Sequence, residues 1–236
     1  MDVRDGFILH ISDYCDRWCE RCAFTAHCHL FATVAETEAS LDPTLKLVVE
    51  APPLPEDVHP IPAWLEEALE SAPDLAPDEW ARLQPRVPPE HRPLDERGGA
   101  YANAVYEWLE GRTVDGGEPW DVVARFPLFI SSKIHRALHV WPDGTMGEND
   151  GWSDADGSAK AALVAIDESH AAWLALVERG TVTSSEASRF IADLIWLSEG
   201  LARARPKARA FVRPAFDEPD ASARFLAAAK QGFEPR

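Results

Sequence analysis

Gly157-Ser-Ala-Lys-Ala-Ala-Leu-Val-Ala-Ile-Asp-Glu-Ser-His-Ala-Ala-Trp-Leu-Ala-Leu-Val-Glu-Arg179 is the stretch on which the reading of the fold turns. Leu163, Ile166, Trp173 and Val177 recur in it at three- and four-residue steps, with His170 on the same line. That is the period of one helix face. Three other stretches repeat it. Residues 95–112 align Tyr101, Ala104, Val105, Trp108 and Leu109. Residues 119–141 align Val122, Phe126, Phe129, Ile130, Ala137, Val140 and Trp141, interrupted by Lys133. Residues 184–205 align Ala187, Phe190, Ile191, Leu194, Ile195, Ser198 and Leu201. Four amphipathic helices joined by short turns predict a mainly α fold, a four-helix up-and-down bundle. Pro119, after Gly116-Gly117, suits a first helical turn. Pro127 removes a hydrogen bond to Val123 and is expected to kink or split the second helix.

Outward from the bundle the texture changes. Residues 43–93 hold 12 of the 19 prolines. Only short helices, near 61–71 and 77–84, and a strand at Leu45–Val49 fit between them, so this region reads as a wrapping connection. Residues 1–42 form a cysteine-bearing segment. Ile8, Ile11, Cys15, Trp18, Cys19 and Cys22 recur at helical spacing, predicting a helix, with a strand over Phe7–Ile11 as the competing reading. The bundle with a short C-terminal extension occupies 94–236. After Pro206, Ala210–Phe216 reads as extended and 220–230 as a short helix. The three regions are expected to form one domain.

All four cysteines of the chain fall in the N-terminal segment: Cys15, Cys19, Cys22 and Cys28, spaced C-x3-C-x2-C-x5-C, with His27 and His29 beside the last as further candidate metal ligands. Cysteines this close in a reducing compartment read as ligands or reactive thiols before structural bridges. A mononuclear zinc site usually draws two cysteine pairs from separate hairpins. A compact run better suits a 4Fe–4S cluster. An unbroken helix from Cys15 to Cys22 rises about 10.5 Å, too far for one small cluster. The helix must therefore end or distort near Cys19 if all four thiols ligate together. A 4Fe–4S cluster used for redox, sensing or catalysis is the leading expectation. The alternatives are a structural zinc in a non-enzymatic interaction or scaffold protein, and metal-free thiols.

Polar residues within the bundle supply candidate acid–base groups. Asp167 and His170 stand one turn apart, and His135 shares a face with His139. If the protein is an iron–sulfur or metal-dependent oxidoreductase, Asp167, His170 and His135 are the candidate catalytic residues. A core histidine bonded to Asp167 is the competing account. The loop 143–158 fails as an EF-hand, since aligning Asp154, Asp156 and Gly157 puts Trp152 first and Leu163 at the glutamate position. Asp156 or Ser158 is expected to cap the helix that follows. Lys160 and Arg213 are candidate cations for an anionic ligand.

The triplet Cys15, Cys19, Cys22 and the run Gly116-Gly117-Glu118-Pro119 are similar to two elements of radical-SAM enzymes. The resemblance departs at Arg21, where that family usually has an aromatic residue, and in the lack of repeating strand–helix units. A radical-SAM-like enzyme is thus a further alternative. The stretches Cys15–Cys22, Asp156–Lys160 and Phe211–Asp217 together resemble a family of uncharacterised bacterial proteins with an N-terminal cysteine cluster. That resemblance implies no activity, but it implies that the three stretches belong to one site.

Charge and composition bound the rest. With 23 basic and 40 acidic residues the chain carries a formal charge of -17. That argues against nonspecific nucleic-acid binding, which runs on phosphate neutralisation. The charge is uneven: residues 1–60 hold 11 acids and 4 bases, residues 201–236 hold 8 bases and 4 acids. The basic tail or the proline-rich region could meet a redox or protein partner. The opening MDVRDGFILHISDYC lacks the form of a signal peptide, and no apolar run approaches the ~20 residues that span a bilayer. A cytoplasmic protein is expected. Nine tryptophans against two methionines predict a core of defined packing.

Overall fold

The periodic stretches are helices. In the computed structural model, which describes residues 2–40, 76, 84–112, 116–140, 148–149, 152–220 and 222–223, five helices follow in order: α1 (His29–Ser40), α2 (Arg92–Leu109), α3 (Glu118–Leu138), α4 (Asp154–Glu178) and α5 (Ser184–Ala204). The protein is mainly helical. α2 packs on α3, α3 on α4, α4 on α5 and α5 on α2.

The core they enclose is aromatic where α2, α4 and α5 meet. Trp173 stacks on Phe190 with ring centres 4.6 Å apart, and Trp108 stands edge-on to Trp173 at 5.0 Å. Trp120 of α3 packs on the far side of Trp108 at 5.5 Å. Each such ring buries a large apolar area and adds an edge-to-face or stacking preference. Two stripes are rotated from the sequence pattern. On α3 Ile134 and Leu138 join the buried face while Phe129 is only half-buried, and on α5 Leu197 is inside while Ile195 faces out.

Helix ends follow local chemistry. Thr183 caps α5 through a reciprocal box, its hydroxyl accepting from the Glu186 N–H while the Glu186 carboxylate accepts from the Thr183 N–H. Pro119 lies in the first turn of α3, after Gly117 at φ 60°. Pro127 lies inside α3 without splitting it. The expected cap at Asp156 or Ser158 is corrected: α4 begins earlier, at Asp154, because the loop before it closes as a hairpin of β3 (Glu148–Asn149) with β4 (Trp152–Ser153), leaving Asp154 to start the helix.

The helix expected across Ile8–Cys22 is also corrected. β1 (Val3–Arg4) pairs antiparallel with β2 (Phe7–Ile8), in keeping with the strand reading. Three single 3-10 turns follow, at Ile11–Asp13, Cys19–Arg21 and Thr25–His27. Arg17 between them is left-handed at φ 60°, and no α-helix survives such a residue. The short helices and strand expected within 43–83 and most of the helix near 220–230 fall outside the described residues. Among the described residues the strands form only these two hairpins, plus a lone bridge of Arg86 with Val140. No described helix is long and apolar enough to cross a membrane.

Candidate functional site

Breaking the N-terminal segment into turns is what brings its cysteines together. Cys22 and Cys28 each close a 3-10 turn, their N–H groups donating to the Cys19 and Thr25 carbonyls. The Asp16 carboxylate accepts from the Trp18 N–H at 2.9 Å, an Asx turn that carries the chain around Arg17. Cys15 and Cys19 flank that turn. As a result Cys15, Cys19, Cys22 and Cys28 all line one cavity of about 20 Å³, with Trp18, Phe31 and Phe216 among its walls. All four are half-buried and none is in a disulfide.

The segment is docked by anchors from distant elements. Trp18 stands edge-on to the buried Phe126 of α3 at 6.1 Å, and the Arg21 guanidinium lies 3.7 Å from the Trp18 ring centre. Arg21 also donates to Asp16, Glu118 and Glu168, tying the loop to the start of α3 and the middle of α4. Tyr14, 4% exposed, packs edge-on to Phe211 at 5.0 Å and against the backbone of Gly157. Phe24 meets Phe216 at 5.6 Å. Ile8, Ile11, Phe24 and Ala215 form a small core of their own, separate from that of the bundle. Phe216 shares the cysteine cavity with Cys15, Cys19 and Cys22, Asp217 lies 4.0 Å from Lys160, and Tyr14 beside the first cysteine seats on Gly157, so the three stretches singled out by resemblance adjoin one another.

Lys133, an interruption of the α3 stripe in sequence, is 7% exposed and donates to the Asp13 carbonyl. Burial, helped by the nearby Arg136 and Arg17, pushes its ammonium down to about 8. Burial likewise pushes the Cys15, Cys19 and Cys22 thiols up. The neighbouring Cys28 adds to the rise at all three, which places it within electrostatic reach of each. Arg17 draws Cys15 back down, and Arg125 does the same at Cys19.

Spacing decides what such a set can hold. Around a single tetrahedral ion each thiolate stands ~2.3 Å from the metal, so the sulfurs lie within about 4 Å of one another. Among the described residues no three His, Cys, Asp or Glu side chains form a group that could hold a metal ion. The thiols surround a common cavity without forming the shell of one ion. The donor chemistry still fits a soft metal: four thiols converge in a largely apolar pocket, with Asp16 the sole carboxylate in its lining.

The other candidate residues lie elsewhere. His27 contacts the Gly6 carbonyl at 3.1 Å, and His29 packs on Phe7 and contacts Thr33. Neither lines the cysteine cavity. Asp167 is exposed and receives both Nη atoms of Arg209, at 2.8 and 3.2 Å, so its partner is Arg209 and not His170. His170 is half-buried on α4. His135 contacts Asp95 of α2 at 3.0 Å. None of these three lines the cysteine cavity, and Asp167 and His170, although one turn apart on α4, are not paired with each other. Lys160 donates to the Arg209 carbonyl, and Arg213 is held bidentately by Asp217 at 3.0 and 3.1 Å, so both cations are already engaged.

Sequence reasoning missed Lys133 and Arg125 as parts of this site, whereas Phe216 falls within a stretch that the resemblance had already joined to the cysteines. A lysine on an apolar stripe was the one legible signal. No protein-family model, curated protein or solved structure matches the chain.

Proposed function

We propose that this is a metalloprotein whose Cys15, Cys19, Cys22 and Cys28 hold a 4Fe–4S cluster. One observation carries the reading: four thiols spread over a fourteen-residue stretch that is not α-helical line a single cavity. Among the described residues no three donors are grouped as a single ion requires, whereas a cluster of several irons separates its thiolates further. When bound, the cluster would supply one-electron redox chemistry. The chain's own contribution is to gather the thiols, wall them with Trp18, Phe31 and Phe216, and place Arg17 and Arg125 where they favour thiolate over thiol. A cubane exceeds the 20 Å³ between the side chains, so uptake requires the turns to open. Use of the cluster in an oxidoreductase, with Asp167, His170 or His135 as acid–base groups, belongs to the same proposal. The helix pairings support an up-and-down four-helix bundle as its scaffold.

A second reading is a structural zinc in a scaffold or interaction protein. It is favoured by the small size of the core formed by Ile8, Ile11, Phe24 and Ala215, since modules with so little apolar burial often depend on a metal to fold. In either case we propose a cytoplasmic setting and a redox or protein partner that meets the proline-rich region or the basic tail.

Metal content and a visible spectrum, on protein purified without oxygen, separate the two. About four irons per chain with a broad band near 400 nm are expected of a thiolate-ligated cubane. One zinc and no colour would transfer the case to the structural site.

A further inference from the structure

Two backbone carbonyls on either side of Cys15 are gripped by one face of α3. The Lys133 ammonium holds the carbonyl of Asp13, and the Arg125 guanidinium holds that of Arg17. The two cations are eight residues apart, so they project from neighbouring lines of the helix about 12 Å apart along its axis. The intervening Phe129 packs on Phe126 and lies beneath the Lys133 ammonium at 5.7 Å. Arg17 is the left-handed residue, an unfavourable conformation for a side chain with a Cβ. Its carbonyl is the one Arg125 takes, while Arg125 also reaches Glu20 at 3.6 Å on the other side of Cys19. The strained turn is thus fixed at both ends by groups that come from outside the segment.

We infer that Arg125 and Lys133 are positioning residues that hold the Asp13–Arg17 turn in the form that directs Cys15 and Cys19 into the cysteine cavity, and so govern access to those two thiols. In its consequence for metal uptake this rests on the metalloprotein reading. Its consequence for the thiols does not. Without the grip, Arg17 relaxes toward ordinary backbone angles and Cys15 and Cys19 turn out of the cavity. Cys28, on a different turn, is left where it is. Charge-assisted hydrogen bonds of this kind are the stronger class, and losing one is a loss the loop feels more than the bundle.

The test uses the full chain, reduced and metal-free, with iodoacetamide as probe, each cysteine followed separately by mass spectrometry and each rate divided by its thiolate fraction from a pH series, because Arg125 itself favours the Cys19 thiolate. Arg125→Met and Lys133→Met are expected to speed alkylation of Cys15 and Cys19 about tenfold, the size of one lost charged hydrogen bond, with Cys28 and the helical circular dichroism unchanged. Arg125→Lys, which keeps a cationic donor, is expected to restore most of the protection. Reconstitution with ferrous iron and sulfide should fall in the two Met variants and recover in Arg125→Lys. Rates within twofold of the parent at Cys15 and Cys19, or equal acceleration at all four cysteines, would overturn the inference. If Lys133→Met fails to fold, the Arg125 pair decides alone, because that residue is largely at the surface. If the parent takes up neither iron nor zinc, the metal reading fails while the alkylation rates still decide the clamp.

Discussion

The ring of Tyr14 lies directly on the backbone of Gly157: a Cβ added to that glycine would stand 2.2 Å from Tyr14 Cε1 and 2.7 Å from Cδ1. The residue before the first cysteine is thereby seated on the first turns of α4, with Phe211 closing over it. Gly157→Ala sets two effects against each other. Alanine favours a helix over glycine by about 1 kcal/mol, but overpacking a buried site costs about 1–3 kcal/mol. A rigid ring at 2.2 Å cannot yield, so the clash wins. The variant should be less stable in urea denaturation, and its Tyr14 should become solvent-accessible.

Trp18 anchors the same segment at its other end. Trp18→Ala removes the contact with Phe126 and the platform under Arg21. The bundle, whose main core is elsewhere, should keep its helical signal. Brief trypsin treatment should then cut after Arg17 or Arg21 much faster than in the parent, since undocked chain is what proteases find. Equal cleavage rates would show that Trp18 is dispensable for docking.

Cys22→Ala is expected to lose most bound metal, and Cys28→Ser to do the same, because both thiols line the shared cavity. His27→Ala and His29→Ala should retain metal, as both imidazoles sit outside it. Metal analysis of the four variants checks this. Full stoichiometry in Cys28→Ser would leave a three-thiol site.

The start of α5 should contribute to the acid response. The Thr183 hydroxyl and N–H, and then Arg112, hold the Glu186 carboxyl down at about 2. A carboxyl lowered on folding stabilises the native state above its unfolded value, near 4.3, and that contribution is lost as pH falls from there toward 2. Thr183→Ala should lower stability by about 1 kcal/mol at neutral pH. It should also flatten the pH dependence between about 4.5 and 2, as read by urea denaturation at a series of pH values.

Much of this architecture is written locally. The stripes on α2 to α5, the Thr183–Glu186 box and the Pro119 start can be read from residues a few places apart, because helical period and capping depend on near neighbours. Small rotations such as Leu197 for Ile195 were not legible, since three- and four-residue steps define a broad face and the opposing helix chooses within it.

The cysteine segment shows the opposite case. Ile8, Ile11, Cys15, Cys19 and Cys22 satisfy the helical period as well as α4 does, yet the chain there is the end of a hairpin and two 3-10 turns. What overrides the period is partly local, the Asp16 side chain capturing the Trp18 N–H, and partly remote, the Lys133 and Arg125 donors that take the Asp13 and Arg17 carbonyls out of any helical ladder. By itself the sequence determined that four thiols lie close along the chain and that a helical scaffold follows them. Only the tertiary structure decided that they face one cavity, because the donors that bend the segment come from α3, its ring partners from α3 and residues 211–216, and the seat for Tyr14 from Gly157 of α4, more than a hundred residues away. For the same reason Asp167 met Arg209 rather than His170: a neighbour one turn along a helix competes with any cation that packing delivers, and a bidentate arginine is the stronger partner.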